Sequence, residues 1–114
     1  MACRHAGTIL LRKRKENSMS QLTIIAKLVA KKESIDVVKS ELLKMIAPTR
    51  KESGCINYCL HQDNDDPAVF AYYENWESSA SFEAHKSSDH YKAYVMALEG
   101  LIEEKVVSKM TLVE

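Results

Sequence analysis

Over residues 70–76 the chain alternates, so that Phe70, Tyr72, Glu74 and Trp76 fall on one face of a strand and Ala71, Tyr73 and Asn75 on the other. A carboxylate therefore stands in a row of aromatics. Residues 21–30, QLTIIAKLVA, are rich in Ile, Leu, Val and Thr and have the length of a strand, which makes them the first strand. After the polar KKE, Ser34 is a candidate helix cap. Ile35, Val38, Leu42, Met45, Ile46 and Thr49 then recur at three- and four-residue steps, one face of a helix. Pro48 removes an intrahelical bond near the end of that helix and predicts a kink or a stop, and Gly54 releases the chain.

Residues 55–62, CINYCLHQ, read as the second strand, with Ile56, Tyr58 and Leu60 on one side and Cys55, Asn57, Cys59 and His61 on the other. DNDDP is a turn, because its Asp and Asn side chains bond the local backbone and Pro67 fixes a dihedral. It predicts an antiparallel hairpin with the strand at 70–76. Ser78 and Ser79 offer hydroxyls to the free amides of a helix start. A short helix over 79–86 follows, with a break at Ser87 and Ser88. A second helix over 89–99 has Tyr91, Tyr94, Val95 and Leu98 on one face and Gly100 as its stop. Residues 106–113, VVSKMTLV, read as the last strand.

The order strand, helix, strand, strand, helix, strand most simply gives an α+β domain in the split βαβ arrangement, a four-stranded antiparallel sheet with its helices on one face. The first and third strands are apolar on both sides, so the uncovered face calls for a second copy of the chain. A homodimer is the expectation.

A chain of 114 residues suits one domain that buries roughly two thirds of its unfolded surface. The net charge of zero hides an asymmetry: residues 1–18 carry Arg4, Arg12, Lys13, Arg14 and Lys15 against Glu16, a net of +4 that leaves −4 for residues 19–114. Residues 1–18 are expected to be a basic disordered extension and 19–114 the domain. A mildly acidic body offers no electrostatic footprint for nucleic acid or an anionic membrane. The basic cluster follows the short apolar run of Ile9, Leu10 and Leu11, the reverse of the order in a secretory signal. Three cysteines are an odd count, which argues against a disulfide framework and for free thiols in a reducing cytoplasm.

Thr49, Arg50, Lys51 and Glu52 with Gly54, Cys55 and Tyr58, the run from Asp63 to Pro67, and above all Glu74, Asn75, Trp76, Glu77 and Ser78 with Ala84, His85 and His90 resemble the antibiotic biosynthesis monooxygenase family. These are small cofactor-free oxygenases that include the quinol monooxygenases. The resemblance runs from about Leu22 to Val113. It implies a dimeric α+β barrel in which two ferredoxin-like sheets pack face to face, with a ligand cavity between helices and sheet in each subunit. It implies no cofactor, with a small aromatic substrate and molecular oxygen as partners. The haem-degrading members of this fold have a catalytic Asn, Trp and His that fall on Ala26, His85 and Val95, none of them retained.

Oxygen reacts with an electron-rich quinol anion without metal or flavin, so such a protein has to bind a flat aromatic, take its proton and exclude water. His85 is the candidate base and His90 the alternative, since an imidazole titrates near working pH. Glu74 would orient a histidine or be raised by burial into an acid. Trp76, Tyr72 and Tyr73 would supply apolar walls, with His90 and Tyr91 beside them. Structural readings stand next to these: Trp76 as core packing, Glu74 bonded to backbone amides or Arg50, His85 as a satisfied core histidine. His85 and His90, five apart, do not share a helix face, so no metal site is expected from them. Two further functions remain open: an isomerase of a phosphorylated signalling sugar, for which Lys27, Lys86 and Lys92 are the candidate phosphate cations, and a non-catalytic dimer that binds small hydrophobic molecules.

Overall fold

The computed structural model describes residues 21–114; the expected extension at 1–18 lies outside the described residues. The elements are β1 (Leu22–Ala30), a 3-10 turn (Lys32–Ser34), α1 (Ile35–Lys44), α2 (Ile46–Arg50), β2 (Cys55–Gln62), β3 (Val69–Trp76), α3 (Ser79–Lys86), α4 (Asp89–Ala97) and β4 (Ile102–Met110). The strands form one antiparallel sheet in the order β2-β3-β1-β4. This is the ferredoxin-like α+β fold that the element order implies.

Each element has a local cause. The predicted long helix divides at Met45, three residues ahead of Pro48, because the proline ring has no N–H to give to the Lys44 carbonyl and clashes with it. Ser78 Oγ accepts from Ser81 N at 3.2 Å to cap α3, and Ser88 Oγ accepts from Tyr91 N at 3.2 Å to cap α4. Ser34 stands at the start of α1 but makes no side-chain cap bond. In the β2–β3 turn, Asp63 Oδ2 accepts from the amides of Asp65 and Asp66 at 3.0 and 2.8 Å. Gly100 takes φ of 81°, the left-handed backbone that ends α4. Gly54 serves a different purpose: a Cβ there would meet the Ser81 side chain at 2.1 Å, so its bareness lets the α2–β2 turn lie against α3.

Two sequence readings are corrected. The last strand starts at Ile102, not at 106, because Glu103, Glu104 and Lys105 lie on an edge strand, where charged side chains reach water; it ends at Met110. In β2 the register shifts between Cys55 and Asn57, so Cys55 stands opposite Trp76 and Cys59 opposite Tyr73, on different faces. Cys55 is a free thiol, its pKa pushed up to about 12 mainly by burial. Cys59 Sγ lies 3.3 Å from Asn57 Oδ1 on the open face of the sheet.

The core lies between the helices and one face of the sheet. Ile24, Ala26, Leu28, Phe70, Tyr72 and Trp76 point into it from the strands, and Val38, Leu42, Phe82 and Tyr94 meet them from the helices.

Candidate active site

His85 is the centre of the helix-facing side of the sheet. It sits near the end of α3 with its side chain 1% exposed. Trp76 packs 4.7 Å from its ring centroid, Tyr91 stands edge-on at 5.0 Å and Tyr58 at 5.7 Å. Its Nδ1 bonds Glu52 Oε2 at 2.7 Å, and the same oxygen takes Nε2 of His90 at 2.7 Å. An ionised carboxylate only accepts, so both ring nitrogens donate. That fixes the tautomer of His85 and leaves Nε2 as the nitrogen with a lone pair. Burial lowers the His85 pKa; the bond to Glu52 and its charge oppose that.

The orienting carboxylate is therefore Glu52, which sequence reasoning missed, and not Glu74. Glu74 lies on β3, 3% exposed, where its Oε1 accepts from Trp76 Nε1 at 2.9 Å. Burial raises its pKa to about 7, with the Glu52 charge adding to the rise and the Trp76 bond and Lys105 charge opposing it. Arg50 Nε donates to the Tyr58 carbonyl at 3.1 Å.

His85, Glu74, Tyr72 and Tyr91 line one small cavity together with Tyr58, Phe82, Tyr94 and Lys105. Tyr58 and Tyr72 stack at 4.7 Å, and Tyr72 Oη donates to the Leu42 carbonyl at 2.6 Å. Burial pushes the phenol pKa of Tyr58, Tyr72, Tyr91 and Tyr94 upward, so all four keep their protons. The enclosed volume is about 10 Å³, the size of one water. Beyond Tyr94 and Lys105, which line both spaces, an open hollow of about 490 Å³ runs along α4 with Leu28, Val95 and Leu98 in its walls. Lys105 Nζ lies 5.2 Å from the Tyr94 ring centroid and 5.7 Å from that of Tyr91. Parting these groups would join the two spaces.

Three expected wall residues lie elsewhere. Trp76 is fully buried behind His85 and Glu74, His90 is on the solvent side of Glu52, and Tyr73 is on the opposite face of the sheet, 40% exposed. Tyr58 and Tyr94 were on apolar faces in the sequence without a polar partner to mark them, and Lys105 was lost with the misplaced start of β4. None of Lys27, Lys86 and Lys92 lines the cavity; Lys105 is the cation that does.

Residues 21–97 match the family described as Antibiotic biosynthesis monooxygenase. The chain belongs to that family. A crystal structure of a Pseudomonas aeruginosa protein is similar with a TM-score of 0.80 at 29% identity, over 83% of this chain and 96% of that one. A structure named antibiotic biosynthesis monooxygenase gives 0.78 at 29% identity over 82% and 99%, and a Mycobacterium tuberculosis protein gives 0.79 at 25% over 83% and 97%. A curated relative, an uncharacterised Synechocystis protein, is 30% identical over 50 residues; the match covers 44% of this chain and 34% of that protein's length. No described helix of this family member is long and apolar enough to cross a membrane.

Proposed function

We propose that this member of the antibiotic biosynthesis monooxygenase family is a cofactor-independent monooxygenase acting on a quinol or another electron-rich small aromatic. The observation that carries this reading is a buried His85 in an aromatic cavity, its Nδ1 held by Glu52 and its Nε2 free to take a phenolic proton. The resulting anion reacts with oxygen. One oxygen atom enters the ring, the other leaves as water, and a quinol supplies its own electrons, so no reductant is needed. A space of about 10 Å³ holds no aromatic ring, so in this reading Tyr94 and Lys105 part to join it to the hollow along α4, where Tyr94 offers flat apolar surface to the substrate and Lys105 faces the negative charge that develops on it. Glu74, poised near neutrality by burial, is placed to return a proton.

The active form in this reading is a homodimer joined through the open sheet face, where Tyr73, Val106 and Met110 are 40%, 45% and 46% exposed. The phosphosugar reading has one cavity cation, Lys105, and is the weaker one. Oxygen uptake on a panel of hydroquinones and naphthols tests the proposal. Consumption of one oxygen per quinol, above the spontaneous rate and without added metal or flavin, is expected. Tight binding of those compounds with no uptake would instead leave a small-molecule-binding module.

A further inference from the structure

We propose that Glu52, His85 and His90 form a binding site for a divalent transition-metal ion of the zinc type, on the solvent side of the cavity wall. They come from three segments, the turn after α2, the end of α3 and the start of α4, yet their candidate ligand atoms all lie within 4.8 Å of one another. A spacing of five keeps two histidines apart only on one continuous helix, and His85 and His90 ride two. The corner at Ser87 and Ser88 turns the second helix back, so that both rings meet one carboxylate.

Two imidazoles and a carboxylate are the donor set of open zinc, cobalt and nickel centres, whereas calcium and magnesium prefer all-oxygen surroundings. At present one oxygen of Glu52 holds both ring nitrogens at 2.7 Å. Ligands bonded at about 2.1 Å around a tetrahedral ion stand about 3.4 Å apart, so each histidine nitrogen moves about 0.7 Å from the Glu52 oxygen while the two nitrogens, now within 4.8 Å of one another, settle at about 3.4 Å. The side chains of Glu52 and His90 are 17% and 25% exposed and that of His85 is 1% exposed. An ion would reach the site from solvent and keep a position for water, with His85 closing the inner side.

The ligands are held in place without the ion. Ser88 Oγ donates to the His85 carbonyl at 2.7 Å while capping α4, which fixes the corner between the two histidines. The Trp76 and Tyr91 rings clamp the His85 imidazole. Little ordering remains to be done on binding.

A metal on Nδ1 leaves Nε2 of a neutral ring carrying its hydrogen, which presents a donor to the cavity in place of an acceptor. Metal loading and proton acceptance are then alternative uses of His85; this consequence rests on the monooxygenase reading, and the site itself does not.

The full chain, stripped with a chelator, is titrated with Co²⁺ alone and followed by visible absorption and thermal melting. One equivalent per chain, intense bands of a low-coordinate centre, displacement by Zn²⁺ and a raised midpoint are expected. His90→Ala and Glu52→Gln, checked for fold by circular dichroism, should each weaken binding about a hundredfold or more, because losing even a supporting group costs about 10–100-fold. His61→Ala, on the opposite sheet face, should change nothing. No saturable spectral change with cobalt in large excess, or binding that both His90→Ala and Glu52→Gln leave intact, would overturn the site whatever the oxygen assays give.

Discussion

The two faces of this sheet are made by the same strands and have opposite characters. On the helix side, Ile24, Tyr58, Tyr72, Glu74 and Trp76 are sealed under α1, α3 and α4, and the polar groups among them are buried with partners. On the other side, Asn57 donates to Asn75 at 3.2 Å and Asn75 to Thr23 at 2.9 Å, a polar ladder across three strands, while Tyr73, Val106 and Met110 stay open. Alternation along β3 places Tyr72 in the cavity and its neighbour Tyr73 about as far from it as one strand allows. Residue type alone therefore says little here; the face decides whether an aromatic is wall or surface.

The largest effect expected from breaking the helix side is chemical. His85→Gln keeps similar volume and a hydrogen bond to Glu52 but cannot take a proton at neutral pH, so turnover should fall by roughly two to four orders of magnitude with little change in ligand binding. His90→Gln, on the solvent side of Glu52, should be milder. Single-turnover oxygen consumption separates the two, and a larger loss in the His90 variant would reverse their roles. Next in size is packing. Trp76→Ala removes a fully buried ring that touches His85 and Phe82 and bonds Glu74, and should cost about 3–5 kcal/mol by urea denaturation. Tyr73→Ala, the same kind of truncation on the open face, should cost the single chain far less.

The parts of this contrast that were legible in the sequence are those with a local period. The strand at 70–76 showed its two faces, the serines showed the starts of α3 and α4, and Gly100 showed the end of α4. Charge at an edge strand hid the first residues of β4 and took Lys105 with it, because an exposed strand has no apolar row to read. Glu52 had no period at all. It lies in a turn, and its partners are 33 and 38 residues away, so only the tertiary arrangement of α2, α3 and α4 makes it the carboxylate of the site. The bulge at Ile56 shows the same limit on a smaller scale, since one extra residue put Cys55 on the helix face and left Cys59 on the open one.

Acidity sharpens the comparison further. Burial raises the Glu74 carboxyl from 4.5 to about 7, so the folded chain holds a proton that the unfolded chain has already released. The favourable contribution is complete below about pH 4.5 and lost as pH rises through about 7, amounting to about 3 kcal/mol over that window. Glu74→Gln should remove this dependence: unfolding free energies of the two proteins, measured by denaturant at a series of pH values, should diverge upward through the window in favour of the variant. Parallel curves would mean that the carboxyl titrates as an ordinary exposed one.

On the open face, the effect on the single chain should be smallest. Val106 and Met110 lie on the edge strand β4, nearly half exposed, so replacing both with lysine removes little buried area and should move the stability of an isolated chain by about 0.5 kcal/mol or less per site. In a two-fold dimer joined through this face, each new charge occurs twice and faces an apolar partner surface, so the same double variant should split the dimer. Sedimentation at micromolar concentration is expected to give a dimer for the parent chain and a folded monomer for Val106→Lys with Met110→Lys. A parent chain that is itself a stable monomer would remove the dimer from the proposed function, and a variant that stays dimeric would place the interface somewhere other than this face of the sheet.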